Sequence, residues 1–228
     1  NTEEVVALAK TAAKYKGIYD THLRDESTFN IGFKAAVSEA IDIAKLADIH
    51  LHIAHIKALG VDVWGQSEDV IKQIETAQQQ GISISADQYP WQASGTMLTS
   101  AVVPKWVMAD SKAKFHQRLK DDALLPKIKS EITENIRRRG GGEALLVTVT
   151  EDQNLVGKTL KQLAAEKGLS ETDTVIELVQ GPQIRVASFN MSSNDIENFM
   201  VKPWVVTSSD GTNGHPRKYA SFPKKYVS

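Results

Sequence analysis

Two histidines and two aspartates in this sequence stand where an α/β enzyme carries its reacting groups. His22 closes the run Ile18-Tyr19-Asp20-Thr21-His22, His55 closes His50-Leu51-His52-Ile53-Ala54-His55, Asp87 closes Ile82 to Asp87, and Asp210 closes Trp204 to Asp210. Ligands bind at the carboxyl ends of parallel strands, so side chains remote in sequence converge there. Such a grouping suits a metal ion. A catalytic zinc takes about three protein ligands and keeps a place for water, whose pKa it lowers to about 7. His22 and His55 offer two imidazoles. Asp210 offers a general base that takes a proton from the attacking water and passes it to a leaving nitrogen, with Ser208 and Ser209 orienting it. Each residue alone also has a structural reading: His22 as the cap of its strand, His55 as a satisfied core histidine, Asp210-Gly211 as a turn.

Composition narrows the chemistry. The 228 residues contain no cysteine, so histidine and carboxylate are the only strong ligands and disulfides within the chain are excluded. Lys+Arg of 27 against Asp+Glu of 28 gives no field that would steer nucleic acid or an anionic membrane to the surface. A small-molecule substrate fits better. No apolar run is long enough to span a bilayer, and a chain that begins with Asn1 leaves the compartment open between cytoplasm and periplasm.

The elements that must position these groups follow from hydrophobic periodicity. Glu3 and Glu4 in a first turn, with Val5, Leu8, Ala9, Ala12 and Ala13 at helical spacing, predict a helix over 2–16 that Gly17 stops. Phe33, Ala36, Val37, Ala40, Ile41 and Ala44 mark a second helix, and Val70, Ile71 and Ile74 a third, capped by Ser67. Between them lie strands over 18–22, 48–55 and 82–87. In the second, a period of two puts Leu51, Ile53 and His55 on one face; the opposite face, with His50 and His52, is expected to meet the covering helices. Strand, helix and strand in alternation imply a parallel sheet.

His22 to His55 and His55 to Asp87 are spaced 33 and 32 residues, each one strand plus a returning helix. The interval from Asp87 to Asp210 is far longer, so a segment is inserted. It is expected to hold helices over 111–120 and 126–139, a Gly140-Gly141-Gly142 break, a strand over 145–149 and two short helices near Leu160 and Val175. Gly157-Lys158-Thr159 is not a phosphate loop, because Asp152 stands where that motif needs glycine. The expected organisation is half-barrel βα units over 1–103, an inserted α/β subdomain over 104–184, and the last barrel strand with the start of the following helix over 185–228. About four βα units are visible, whereas a (β/α)8 TIM barrel needs eight and roughly 250 residues. The chain is therefore expected to be part of a longer polypeptide, a partial barrel with an exposed strand edge through which it self-associates.

Tyr19-Asp20-Thr21-His22-Leu23-Arg24, Ile53-Ala54-His55-Ile56-Lys57, Asp87-Gln88-Tyr89-Pro90-Trp91, and Ser209-Asp210-Gly211 with His215-Pro216-Arg217 and Phe222-Pro223 resemble, in order and spacing, the D-aminoacylase (N-acyl-D-amino-acid deacylase) family of the amidohydrolase superfamily. The resemblance implies a zinc-dependent hydrolase of metal-dependent-hydrolase barrel type that cleaves an N-acyl-D-amino acid to a carboxylate and a free D-amino acid. It implies one or two zinc ions held by His22 and His55, with the remaining ligands on strands outside this chain, and Asp210 as catalytic base and acid. It further implies that Lys57, Tyr89 and Arg217 hold the substrate's α-carboxylate, a task suited to guanidinium, ammonium and phenol donors. Arg24 is read instead as a partner of Asp25 or Glu26. Trp91 stands where the family often has tyrosine, which bears on the shape of the pocket.

Two other readings are carried forward. One keeps the metal and barrel but takes a cyclic amide or a D-dipeptide as substrate. The other makes the chain a non-catalytic interaction module whose inserted segment binds a partner.

Overall fold

The structure is a computed structural model and describes residues 1–210. It divides into two compact units, one formed by residues 1–92 and 191–210, the other by residues 93–190.

The first unit begins with α1 (Thr2–Ala13), β1 (Ile18–Thr21), α2 (Phe33–Ala47), β2 (His50–Ile53), α3 (Ser67–Gln79) and β3 (Ile84–Gln88). In the second unit follow β4 (Ala93–Met97), α4 (Leu98–Val102), α5 (Lys105–Met108), α6 (Lys112–Arg118), α7 (Leu125–Arg138), β5 (Leu145–Val149), α8 (Leu160–Lys167), α9 (Glu171–Leu178) and β6 (Arg185–Phe189). The chain then returns to the first unit with α10 (Ser193–Met200) and β7 (Val205–Thr207).

Strands β1, β2, β3 and β7 form a parallel sheet in that order. Thr21 pairs with Ile53, Ile53 with Ala86, and Gln88 with Thr207, so the strand ends that precede the site residues stand side by side. The core is built as the periodicity predicts. Phe33, Val37, Ala40 and Ala44 of α2 and Val70 and Ile74 of α3 pack with Leu51, Ile53, Ile84 and Ala86 of the sheet. Burial of each such aliphatic side chain contributes about 1.5–3 kcal/mol. Asn1 and Glu4 form a capping box on α1. The cap of α3 comes from elsewhere: Asp195 on α10, itself buried, accepts from the backbone N–H of Gly65 (2.8 Å) and Ser67 (3.1 Å). Ser67 is thus the first residue of α3 and not its cap.

Two expectations about β2 change. The strand ends at Ile53, and His55 has φ 37, so it leaves the Leu51–Ile53 row. The helices cover Leu51 and Ile53, which are fully buried, because their apolar stripes need apolar partners; His50 and His52 lie on the opposite, partly exposed face. There they join a hydrogen-bonded row, Ser83–His50–Ser85–His52–Asp87, with links of 2.7, 2.8, 2.8 and 2.9 Å.

The second unit has a three-stranded antiparallel sheet in the order β4-β6-β5. Leu98, Val102, Ile128, Ile132, Leu145, Leu160, Leu163 and Val186 form its core. Gly140 and Gly141, with φ of 96 and 91, make the turn after α7, a conformation that side chains resist. The expected insertion bounds of 104 and 184 fall inside this unit. Strands β4 and β6, which periodicity alone did not reveal, pair with each other and bring residues 93–103 and 185–190 into it. Thr159, of the discarded phosphate-loop match, caps α8, and Lys158 pairs with Glu166 at 2.7 Å. The helix expected near 222–227 lies outside the described residues. No helix among the described residues is long and apolar enough to cross a membrane.

Candidate metal centre

Each site residue lies just past a strand end, in a segment pinned by buried hydrogen bonds. After β1 the chain enters a loop organised by Asp25, whose carboxylate accepts from the N–H groups of Ser27 (2.9 Å), Asn30 (2.6 Å) and Gly32 (3.0 Å). The neighbouring carbonyl of Glu26 accepts from Leu59 N–H at 2.8 Å. Glu26 is thereby buried with its carboxylate turned toward the strand ends. After β2, Ala54 N–H donates to the Thr21 carbonyl (3.0 Å) and Ile56 N–H to the Asp87 carbonyl (2.8 Å). The Asp87 carboxylate accepts from His55 N–H at 3.1 Å, which holds the strained turn.

These anchors bring His22 and His55 together. Nδ1 of His22 faces Nε2 of His55 at 2.9 Å, with the rings edge-on at 77°. The other two ring nitrogens face Glu26: His22 Nε2 is 3.7 Å from Oε2, and His55 Nδ1 is 3.2 Å from Oε1. Lys57 closes the ring of contacts. Its ammonium lies 2.6 Å from Glu26 Oε1, 2.6 Å from His55 Nδ1 and 2.8 Å from the His55 carbonyl.

An ammonium has three donors and no acceptor. A charged Lys57 can only donate to Nδ1 of His55; with that contact made and the ring neutral, the His55 hydrogen lies on Nε2 and points to His22 Nδ1, and the His22 hydrogen on Nε2 points to Glu26. Burial pushes the Glu26 pKa up, but Lys57 and the two imidazoles outweigh it and hold the carboxyl below its ordinary value. Burial lowers the pKa of His22, favouring the neutral ring that a metal needs. For His55, burial lowers the pKa and Glu26 raises it; the net displacement is upward.

Among the described residues, His22, Glu26 and His55 are the group of side chains able to hold a metal ion. Two imidazole nitrogens facing one another, with a carboxylate beside the rings' other nitrogens, form a donor pair of the kind zinc accepts. The residues present fit the group.

The other expected residues are placed as follows. Asp210 is the last described residue, at φ 49, and its charge opposes the lowering of the His22 pKa and adds to the upward displacement at His55. Ser208 does not orient Asp210: its hydroxyl donates to Asp87. Burial opposes ionisation of Asp87, and the bonds from Ser208, His52 and His55 N–H prevail, so its pKa lies below the ordinary value. Lys57 is buried, with all three donors engaged by protein acceptors. Tyr89 is buried beside it, with the ammonium 5.6 Å from the ring centre and Trp91 stacked at 5.9 Å. Arg217 lies outside the described residues. Arg24 pairs with neither Asp25 nor Glu26; it forms a two-bond contact with Glu39 on α2, at 2.6 and 2.8 Å. Sequence reasoning missed Glu26 as a site residue. Its signal was an acid four residues after His22, read only as a partner for Arg24.

No family model matches the chain. The fold is similar to part of a solved amidohydrolase: the crystal structure of D-aminoacylase, described as defining a novel subset of amidohydrolases, matches with a TM-score of 0.64 and 25% identity over 92% of this chain and 36% of that one. N-acyl-D-glutamate deacylase from Bordetella bronchiseptica, complexed with zinc and a phosphonate inhibitor, matches with a TM-score of 0.66 and 22% identity over 97% of this chain and 39% of that one. In sequence the chain is also similar to proteins of the kind its motifs resemble. It is 27% identical over 227 residues to the D-aminoacylase of Alcaligenes xylosoxydans xylosoxydans, covering 98% of this chain and 38% of that protein. It is 22% identical over 223 residues to the N-acyl-D-glutamate deacylase of the same organism, covering 96% and 37%. The chain thus spans less than half the length of the relatives it matches.

Proposed function

We propose that the protein is a zinc-dependent amide hydrolase that cleaves N-acyl-D-amino acids to a carboxylate and a D-amino acid, and that its parallel unit is part of a (β/α)8 barrel. The observation that carries this reading is the facing pair His22 Nδ1 and His55 Nε2 at 2.9 Å, at strand ends, in a chain whose relatives are a D-aminoacylase and an N-acyl-D-glutamate deacylase.

His22 and His55 would hold the ion through these nitrogens, with further ligands contributed by strands outside this chain. Bound there, zinc supplies Lewis acidity toward the amide carbonyl and the attacking water. Asp210 takes the water's proton and delivers it to the leaving nitrogen, the cycle a carboxylate performs as base and then acid. Arg217 carries the main contact to the substrate's α-carboxylate through paired charge-assisted bonds. Tyr89 and Lys57 complete that contact, Lys57 by giving up one of its present acceptors.

The engagement of Lys57 with Glu26 and His55 favours one second reading, a cyclic-amide substrate without a free α-carboxylate. A panel of N-acetyl-D-amino acids, their L-enantiomers, hydantoins and D-dipeptides separates the two. Release of D-amino acid from the first set, abolished in Asp210→Ala and His55→Ala, is the expected result. Hydrolysis confined to the hydantoins would replace the substrate assignment, and full activity in Asp210→Ala would overturn the mechanism.

A further inference from the structure

We infer that Glu26 is a positioning residue for the metal centre, one carboxylate that orients both imidazoles from behind without itself binding the ion. The inference rests on the metal reading above and adds a residue to it.

Geometry separates this role from that of a ligand. A neutral imidazole has one lone pair for a metal and one N–H, on opposite sides of the ring. Metal-binding histidines usually donate that N–H to a carboxylate or carbonyl, which fixes the ring's tautomer and angle. His22 and His55 turn one nitrogen each toward the other, at 2.9 Å, and their remaining nitrogens toward the two oxygens of the same carboxylate, at 3.7 and 3.2 Å. Oε1 already accepts from the Lys57 ammonium at 2.6 Å, so an ion bound to that oxygen would sit against a positive charge. Lys57 is the counter-charge that lets the carboxylate stay ionised in a buried place.

The loop around Glu26 is built to hold it still. Asp25 gathers three backbone N–H groups, Leu59 N–H clamps the Glu26 carbonyl, and Asp25, Glu26 and Ser27 are all buried. A purely structural acid would need Lys57 alone as its partner; this one also meets both rings.

Loading has a balanced proton count. Before the ion arrives, His55 carries its hydrogen on Nε2 and His22 carries one on Nε2. With both facing nitrogens donating lone pairs, His55 carries its hydrogen on Nδ1 instead, directed at Glu26 Oε1. The count on the two rings is unchanged. Lys57 gives up Nδ1 and keeps Glu26 Oε1 and the His55 carbonyl.

The test is zinc affinity of the intact protein by chelator competition, read together with melting of the metal-free protein and the 15N shifts of the histidine rings. The variants are Glu26→Gln, the charge-neutral pair Glu26→Gln with Lys57→Met, and His22→Ala with His55→Ala. The paired variant avoids a buried unpaired ammonium and keeps the metal-free protein folded. Expected are zinc binding lost in the histidine variant, a dissociation constant about 10–100-fold higher in both Glu26 variants, and a loaded wild-type His55 protonated at Nδ1. Wild-type affinity in the folded paired variant would overturn the role of Glu26 while leaving the histidine site intact. Zinc binding that is absent from the wild type, or equal in wild type and histidine variant, would overturn both.

Discussion

His22 and His55 are 33 residues apart, and their Nδ1 and Nε2 atoms face each other at 2.9 Å. The parallel register does this: Thr21 pairs with Ile53, so residues just past those positions emerge together. One βα repeat separates the two, and the α2 stripe packed on Leu51 and Ile53 fixes the return path. Sheet topology thus determines which histidines meet.

Lys57 and Glu26 form an ion pair with side-chain exposures of 5% and 7%. Lys57→Ala leaves the carboxylate buried without its cation, and removing one partner of such a pair costs about 3–5 kcal/mol. Urea unfolding should show that loss, and the neutral pair Glu26→Gln with Lys57→Met should recover most of it. A loss below about 1 kcal/mol in Lys57→Ala would place the pair in the weak class of solvated surface bridges.

Asp195 caps a helix 128 residues earlier in the chain through Ser67 N–H. Asp195→Ala should cost about 0.5–2 kcal/mol, the range for loss of a helix cap. Hydrogen exchange should show the gain in amide exchange concentrated at Gly65 and Ser67. An equal loss of protection throughout the first unit would indicate a packing effect and not a cap.

Glu39 gives a pH dependence of definite sign. The bond from Arg24 lowers its pKa below the ordinary value of 4.5, with a smaller contribution from Thr2. A depressed folded-state pKa means stability that is fully present above 4.5 and lost as pH falls through the lowered value. Glu39→Gln should therefore shift the acid limb of the stability curve and leave stability between the variant and wild type closest at the lowest pH. A difference that grows as pH falls would reverse the sign.

Strand β1 pairs only with β2, so its outer edge is open among the described residues, with Ile18 and Asp20 exposed. An open edge is a template for another strand. Light scattering on the chain should give a mass above 25.1 kDa that rises with concentration. A monodisperse monomer at all concentrations would contradict self-association through this edge.

Much of the first unit is legible in the sequence because its helices carry one apolar stripe each and glycines or left-handed residues end them. Phe33 to Ala44 is the clearest case. What is not legible follows from features that periodicity does not carry. The alternation in β2 fits either face inward; only the apolar stripes of α2 and α3 decide that Leu51 and Ile53 are covered and His50 and His52 are not. Strands β4 and β6 hide because Ala93-Ser94-Gly95-Thr96-Met97 has weak alternation and its partner lies nearly a hundred residues away. The convergence of His22 and His55 was readable from their types and spacing. Glu26 was not, since an acid in an acidic loop looks solvated until Asp25 and Leu59 are seen to bury it.

The measurement that tests the central claim most directly is release of D-amino acid from N-acetyl-D-amino acids by the intact protein before metal removal, after chelation, and after zinc is restored. The account predicts activity that chelation abolishes and zinc recovers, with the L-enantiomers cleaved poorly. Activity untouched by chelation, or no release from the zinc-loaded protein, would contradict it.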